Sequence, residues 1–129
     1  MKIVDIINKL PSLRHLAPAT DEEIKISEAE LGIKFASDYK EYLRNFGCTS
    51  ASGLELTGIC GSQRLNVVDI TNQERKLNKN FPKDMYVIEN TGIEGILMLQ
   101  NQKGEVFQFE NGKLKKEFNS LSDYLITVE

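Results

Sequence analysis

The stretch Ala19–Gly47, ATDEEIKISEAELGIKFASDYKEYLRNFG, decides how this chain is read, because it holds the start and stop signals of two successive helices. Thr20 and Glu23 have the spacing of a capping box, in which the hydroxyl and the carboxylate each satisfy a backbone N–H at a helix start. A helix is therefore predicted from near Asp21. Gly32 follows Leu31 where a helix end needs a residue tolerant of positive φ, and Ile33 to Phe35 form a short apolar link. Ser37 is read as the N-cap of the next helix. Its apolar positions Tyr39, Tyr42, Leu43 and Phe46 repeat at i, i+3, i+4, i+7, so all four share one face that must pack on something, and Gly47 ends it.

On the N-terminal side, Ile3, Ile6, Ile7 and Leu10 repeat the helical spacing and stop before Pro11, and PSLRHLAPA reads as a connection. On the other side CTSASG reads as a loop and GLELTGIC as a short strand through Leu54 and Leu56. The next segment, LNVVDITNQERKLNKNFP, has an apolar run from Leu65 to Val68. Thr71 and Glu74 follow at capping-box spacing, predicting a polar helix from near Asn72 with a thin apolar face.

From Met85 the pattern becomes a meander of MYVIE, ILMLQ, EVFQFE and KLKKEF, punctuated by Gly92, Gly95 and Gly104. Asn111-Gly112 is the strongest two-residue hairpin signal, and it sets Glu110 against Lys113 and Phe109 against Leu114. Ser120 with Asp123 opens a last helix carrying Leu121, Tyr124, Leu125 and Val128. The expectation is one α+β domain over residues 1–129: a mainly antiparallel meander sheet with helices at both ends packed on one face.

A chain of 129 residues suits one domain, and 40% hydrophobic with 27% charged residues is the composition of a globular protein. The formal net charge of -3, with a pI near 5.3, argues against a general nucleic-acid binder, which needs a dense Lys/Arg surface. No apolar run approaches the roughly 20 residues of a membrane helix. MKIVDIINKL lacks the apolar core and cleavage site of a signal peptide, so the expected location is the cytoplasm. Cys48 and Cys60 show no CxxC spacing and read as reduced thiols in small niches, with a disulfide as the alternative; neither metal nor cofactor is expected.

The order of motifs resembles the SUKH superfamily, which includes the fungal cell-wall-assembly regulators of the Smi/Knr type and many bacterial immunity proteins. The resemblance covers nearly the whole chain. It rests on EEI at Glu22–Ile24, EAELGIKF at Glu28–Phe35, SDYKEYL at Ser37–Leu43, GLELTG from Gly53, VVDIT from Val67 with Arg75 after it, YVIENTG from Tyr86, GEVFQF from Gly104 and SLSDYL from Ser120. Departures are Ala36 in place of a common proline, Phe46-Gly47 in place of an Asn-Gly pair, and the absence of tryptophan. The resemblance implies a non-catalytic binding domain that, in bacteria, neutralises a cognate toxin, commonly a nuclease, by direct binding.

Read for chemistry, the residues offer little. His15 is the only histidine and sits in a connection without an orienting carboxylate, Cys48 as a nucleophile paired with it is no better supported, and no phosphate-binding or hydrolase motif is present, so no enzyme is expected. The acidic group Asp21, Glu22, Glu23, Glu28 and Glu30 is either a docking face for a basic partner or, more simply, a solvated helix face with favourable charge at its N-terminus. The Gly58–Gly61 and Thr91–Gly95 turns read as loop geometry before ligand cradles. For a partner-binding surface the reading selects Glu55, Asp69, Glu74, Arg75, Glu89 and Glu94, polar residues beside the sheet and its loops, against the background that any one of them is merely solvated. The expected partner is a protein, in first place a cognate toxin domain, with no direct nucleic-acid or membrane binding. A regulatory scaffold of the cell-wall-assembly type is the alternative.

Overall fold

The hairpin at Asn111-Gly112 forms in the register its residues dictate: β6 (Val106–Glu110) and β7 (Lys113–Phe118) pair antiparallel, with Glu110 opposite Lys113 and Phe109 opposite Leu114. Asn111 and Gly112 both take positive φ, as such a tight turn requires. The computed structural model describes residues 2–51, 53–61, 65–93 and 95–127. β6 pairs with β5 (Ile96–Asn101) and β5 with β4 (Met85–Asn90), so the meander forms as read. Val128, assigned to the last helix by its spacing, lies outside the described residues.

The sheet extends further than the sequence suggested. β3 (Leu54–Leu56) joins β4 through Leu56 opposite Glu89, and β2 (Thr49–Ala51) and β1 (Arg14–His15) continue it, giving among the described residues seven antiparallel strands in sequence order. The segments around β1 and β2 were expected to be loops. They become strands because backbone groups, not side-chain alternation, tie them down: Leu16 N–H donates to Cys48 O at 3.0 Å, and Ala19 N–H to Leu43 O at 2.9 Å.

Five helices pack on this sheet among the described residues: α1 (Ile3–Asn8), α2 (Asp21–Leu31), α3 (Ser37–Phe46), α4 (Val67–Leu77) and α5 (Leu121–Ile126). The capping box of α2 is complete, with Glu23 N–H donating to Thr20 Oγ1 at 3.1 Å and Thr20 N–H to Glu23 Oε1 at 2.9 Å, and Gly32 closes the helix at φ 69°. α3 starts one residue earlier than its reading: Ala36, not Ser37, is the N-cap, and no side chain caps it. Ala36 N–H instead donates to the Tyr86 hydroxyl at 3.0 Å, so a tertiary contact does part of the work of a local cap. α4 differs more. It begins at Val67 with Asn66 as N-cap, whose Oδ1 accepts from Val68 and Asp69 N–H, while Thr71, expected to cap, sits within the helix and accepts Val87 N–H at 3.0 Å.

The larger core gathers α1, α2, α3 and α5 on one face of the sheet, around Tyr39, Tyr42, Leu43, Leu56, Tyr86, Ile88 and Leu125. A smaller cluster on β4, β5 and β6 joins Ile70 of α4 to Phe81, Met85, Val87, Leu97, Leu99 and Phe109. α4 reaches both, because Val67 and Val68 enter the larger core. It stands where β3 and β4 diverge after a single pair, and Thr71 takes over the Val87 N–H.

Buried hydroxyls and amides tie these layers together. Thr57 Oγ1 donates to Val87 O at 2.7 Å, which leaves Tyr39 to donate to that oxygen at 2.9 Å, and Tyr42 donates to Thr57 O at 2.8 Å. Tyr86 donates to Gln100 Oε1 at 2.6 Å. Gln100 Nε2 donates to Asp38 Oδ1 at 3.0 Å, and Asp38 Oδ2 accepts Leu121 N–H at 2.8 Å, so one carboxylate of α3 caps the start of α5. Beneath α3 two backbones nearly touch: a Cβ on Gly58 would lie 1.9 Å from Gly47 O, and one on Gly47 2.1 Å from Ala17 O.

Candidate functional site

Where α4 and the sheet meet at the β4–β5 end, Leu97 and Phe109 of the second cluster lie under a surface depression. The β4–β5 connection is a built turn: Asn90 Oδ1 accepts Gly92 N–H at 3.1 Å, Thr91 Oγ1 accepts Ile93 N–H at 3.2 Å and donates to Ile96 O at 2.9 Å, and Ile96 N–H donates to Ile93 O at 3.0 Å. These bonds leave the Ile93 side chain pointing away from the core, 63% exposed. A large apolar side chain held out by backbone hydrogen bonds is the kind of residue that serves as an anchor in protein interfaces.

Asn90 stands between three adjoining depressions. One of about 440 Å³ is lined by Glu74, Asn78, Ile93, Leu97 and Phe109, a second of about 720 Å³ by Asp69, Asn72, Gln73 and Lys76 with Glu74 again, and a small third of about 170 Å³ by Glu55, Thr57 and Leu65. The surface is thus mainly polar, with Asn90 between amides and carboxylates, and the Ile93 side chain stands exposed among them. Half-burial pushes the Glu74 carboxyl above its usual range.

The six residues selected from sequence do not all meet here. Asp69, Glu74 and Glu55 border these adjoining depressions. Arg75 is on α4 but turns away, donating to Asn72 Oδ1 at 3.4 Å and Lys83 O at 3.2 Å. Glu89 is buried, at 5% exposure, and faces the larger core: one carboxylate oxygen accepts the Tyr124 hydroxyl, the other Glu55 N–H at 3.1 Å, and burial pushes its carboxyl up. It holds α5 to the sheet and offers nothing to a partner. Glu94 lies outside the described residues.

Sequence reasoning passed over Ile93 and Asn90. The usable signal was an isolated apolar residue inside the turn pattern Thr91–Gly95, where no strand or helix periodicity draws it inward. Three of the five acidic residues on α2 have structural work: Asp21 meets Arg44 Nε at 2.6 Å, Glu23 completes the capping box, and buried Glu28 accepts Phe35 N–H at 2.8 Å, while Glu22 and Glu30 are exposed.

His15 and Cys48 line a cleft of about 140 Å³ with Arg14, Leu16 and Leu65. His15 places Nδ1 3.0 Å from Leu16 O and its ring edge-on to Phe46, while the Cys48 thiol donates to Leu56 O at 3.6 Å. Burial, with the neighbouring Cys60, pushes that thiol up to about 12, which keeps it protonated at neutral pH. Neither Cys48 nor Cys60 is in a disulfide.

Fold and surface together define a small α+β domain whose sheet is sealed by helices on one side and left partly open beside α4. The family described as SMI1-KNR4 cell-wall, SUKH_5, matches residues 2–128, and the chain belongs to it. No curated protein matches the chain. The match agrees with the resemblance carried by the motifs from Glu22 to Leu125.

Proposed function

We propose that this protein is a non-catalytic binding domain, an immunity protein that neutralises a cognate toxin domain by covering its active or substrate-binding surface. The observation that carries the reading is the exposed Ile93, whose backbone is hydrogen-bonded to Thr91 and Ile96, beside a rim of Glu55, Asp69 and Glu74. An apolar anchor with carboxylates around it suits a basic protein such as a nuclease domain, because opposite charge speeds encounter and desolvated contact slows release. Family membership supports a role in binding, and the toxin would be met in the cytoplasm. The test is co-expression with a toxin domain encoded next to this gene: growth should be restored and the two chains should co-purify. If the toxin kills unimpeded and no complex forms, the reading is overturned.

A second reading, a regulatory scaffold, is favoured by the cell-wall description of the matching family. It predicts that a pull-down from the protein's own cells returns several wall-assembly partners and no toxin.

A further inference from the structure

On the opposite end of the sheet from Ile93, an open trough of about 700 Å³ runs between the C-terminal half of α2, the Gly32–Lys34 link, the turn before β4 and the β5–β6 turn. Four exposed lysines line it: Lys25, Lys34, Lys83 and Lys103. In a chain of net charge -3 this concentration is a local reversal of sign.

Three of the carboxylates near it are engaged elsewhere, while Glu22 and Glu30 on α2 are exposed and do not line the trough. Asp21, which feels Lys25, is held by Arg44 at 2.6 Å; Glu105, which feels Lys103, is held by Lys116 at 2.7 Å and by the Asn101 amide at 2.9 Å. Glu28 lines the trough but is buried, bonded to Phe35 N–H and 3.9 Å from Lys40. Among the described lining residues Asp84 is the one exposed carboxylate.

The register places the walls firmly. Met85 pairs with Asn101, which sets Lys83 and Asp84 beside the β5–β6 turn, and Asn101 braces that turn by accepting Glu105 N–H at 3.0 Å. The floor is apolar, with Ala29 and Ile33, and Gln102 adds an exposed amide.

We propose that this trough docks an acidic stretch of a partner protein, bound as an extended peptide. Lysines spread along a groove act as separate point charges, which suits carboxylates spaced along a chain. Recognition of a phosphate group favours the arginine fork, and a nucleic-acid strand calls for aromatic stacking; the described lining has neither. Ala29 and Ile33 would take the apolar side chains between the acids, and Gln102 a backbone group. The site is of opposite charge to the surface around Ile93 and independent of the toxin reading.

The experiment is fluorescence anisotropy at low salt, with a short labelled peptide of alternating Glu and Leu as the probe. Its competitors are the matching Gln/Leu peptide, inorganic phosphate and a single-stranded oligonucleotide. The acidic peptide should bind, weaken as salt rises, and lose at least about tenfold in affinity in the double variant Lys34→Glu, Lys103→Glu. The control Lys113→Glu, Lys115→Glu makes the same change in net charge on exposed β7 and should bind nearly as the parent does. Circular dichroism verifies that each variant is folded. No binding by the acidic peptide, equal binding by the neutral one, equal loss in the β7 control, or displacement by phosphate or oligonucleotide at the peptide's own potency would each overturn the proposal.

Discussion

α3 and α4 are nearly equal in length, 10 and 11 residues, and both lean on β4, yet they are built to different ends. Every apolar position of α3 is buried; the Tyr39 ring packs on Tyr86 at 4.9 Å and on Tyr42 at 5.5 Å, and the hydroxyls of both α3 tyrosines are spent on Thr57. α4 buries Val67, Val68, Ile70 and Thr71, then leaves Gln73, Lys76 and Leu77 in solvent, with Leu77 72% exposed. A helix spent wholly on the core specifies the fold. One that is pinned at its first turns and open along the rest carries the surface a partner can meet.

The comparison breaks first at Gly58. A methyl there would lie 1.9 Å from Gly47 O, a backbone atom that cannot move without shifting both α3's end and β2. Gly58→Ala should cost about 3 kcal/mol or more, read from urea unfolding, or prevent folding outright. A variant as stable as the parent would show that α3 does not rest on this close approach.

Next come the two hydroxyls that mark the two regions. Tyr86→Phe leaves both Ala36 N–H and Gln100 Oε1 buried without their partner, so a loss of about 2–3 kcal/mol is expected. Thr71→Val removes one acceptor, that of Val87 N–H, and keeps the shape; about 1–2 kcal/mol should go, with amide exchange accelerating at Val87 and across α4 before it does in α3. Equal exchange in both helices would erase the distinction between them.

These residues also show how far the chain could be read. The hairpin at Asn111-Gly112, the Thr20 capping box and the buried face of α3 were legible because each is a local device whose partners lie within a turn or two of sequence. α4 was misplaced because Thr71 and Glu74 imitate a capping box while Thr71 serves β4, sixteen residues away, and because the β-branched Val67-Val68 pair resembles a strand. β1 and β2 are two and three residues long, too short for alternation to register. Polarity alone selected Glu55, Asp69 and Glu74, which border the depressions; polarity also drew in the buried Glu89, since sequence does not say which side of a bulged strand a carboxylate faces, and β4 shifts register between Val87 and Glu89.

That bulged carboxylate gives a pH test. Burial raises the folded-state value of Glu89 above its ordinary 4.5, so between 4.5 and the raised value the folded chain holds more protons than the unfolded one, and stability falls as pH rises through that window. Glu89→Gln removes the titration and keeps both contacts if the Tyr124 hydroxyl turns to accept. The variant should therefore gain on the parent as pH rises above 4.5, by about 1.4 kcal/mol for each unit the value is raised, and the gap should then stay level toward neutrality. Asp21 and Glu105, both held low by cations, are present in each protein and cancel in the difference. A constant gap from acid to neutral pH would mean that Glu89 ionises as freely as in the unfolded chain.

The smallest effect on stability is expected where the effect on binding is largest. Ile93 makes its turn through backbone groups, N–H to Thr91 Oγ1 and O from Ile96 N–H, so Ile93→Ser leaves those bonds in place and removes mainly surface already in water. Its unfolding free energy should stay within about 0.5 kcal/mol of the parent. On the proposed reading the same change removes the anchor of the toxin contact, and a loss of at least about tenfold in affinity for the toxin domain is expected, measured by titration calorimetry. The pairing of the two measurements is what discriminates. Unchanged stability with lost binding places recognition on the open side of α4, whereas unchanged stability with unchanged binding moves it off this surface altogether and leaves the exposure of Ile93 without a use.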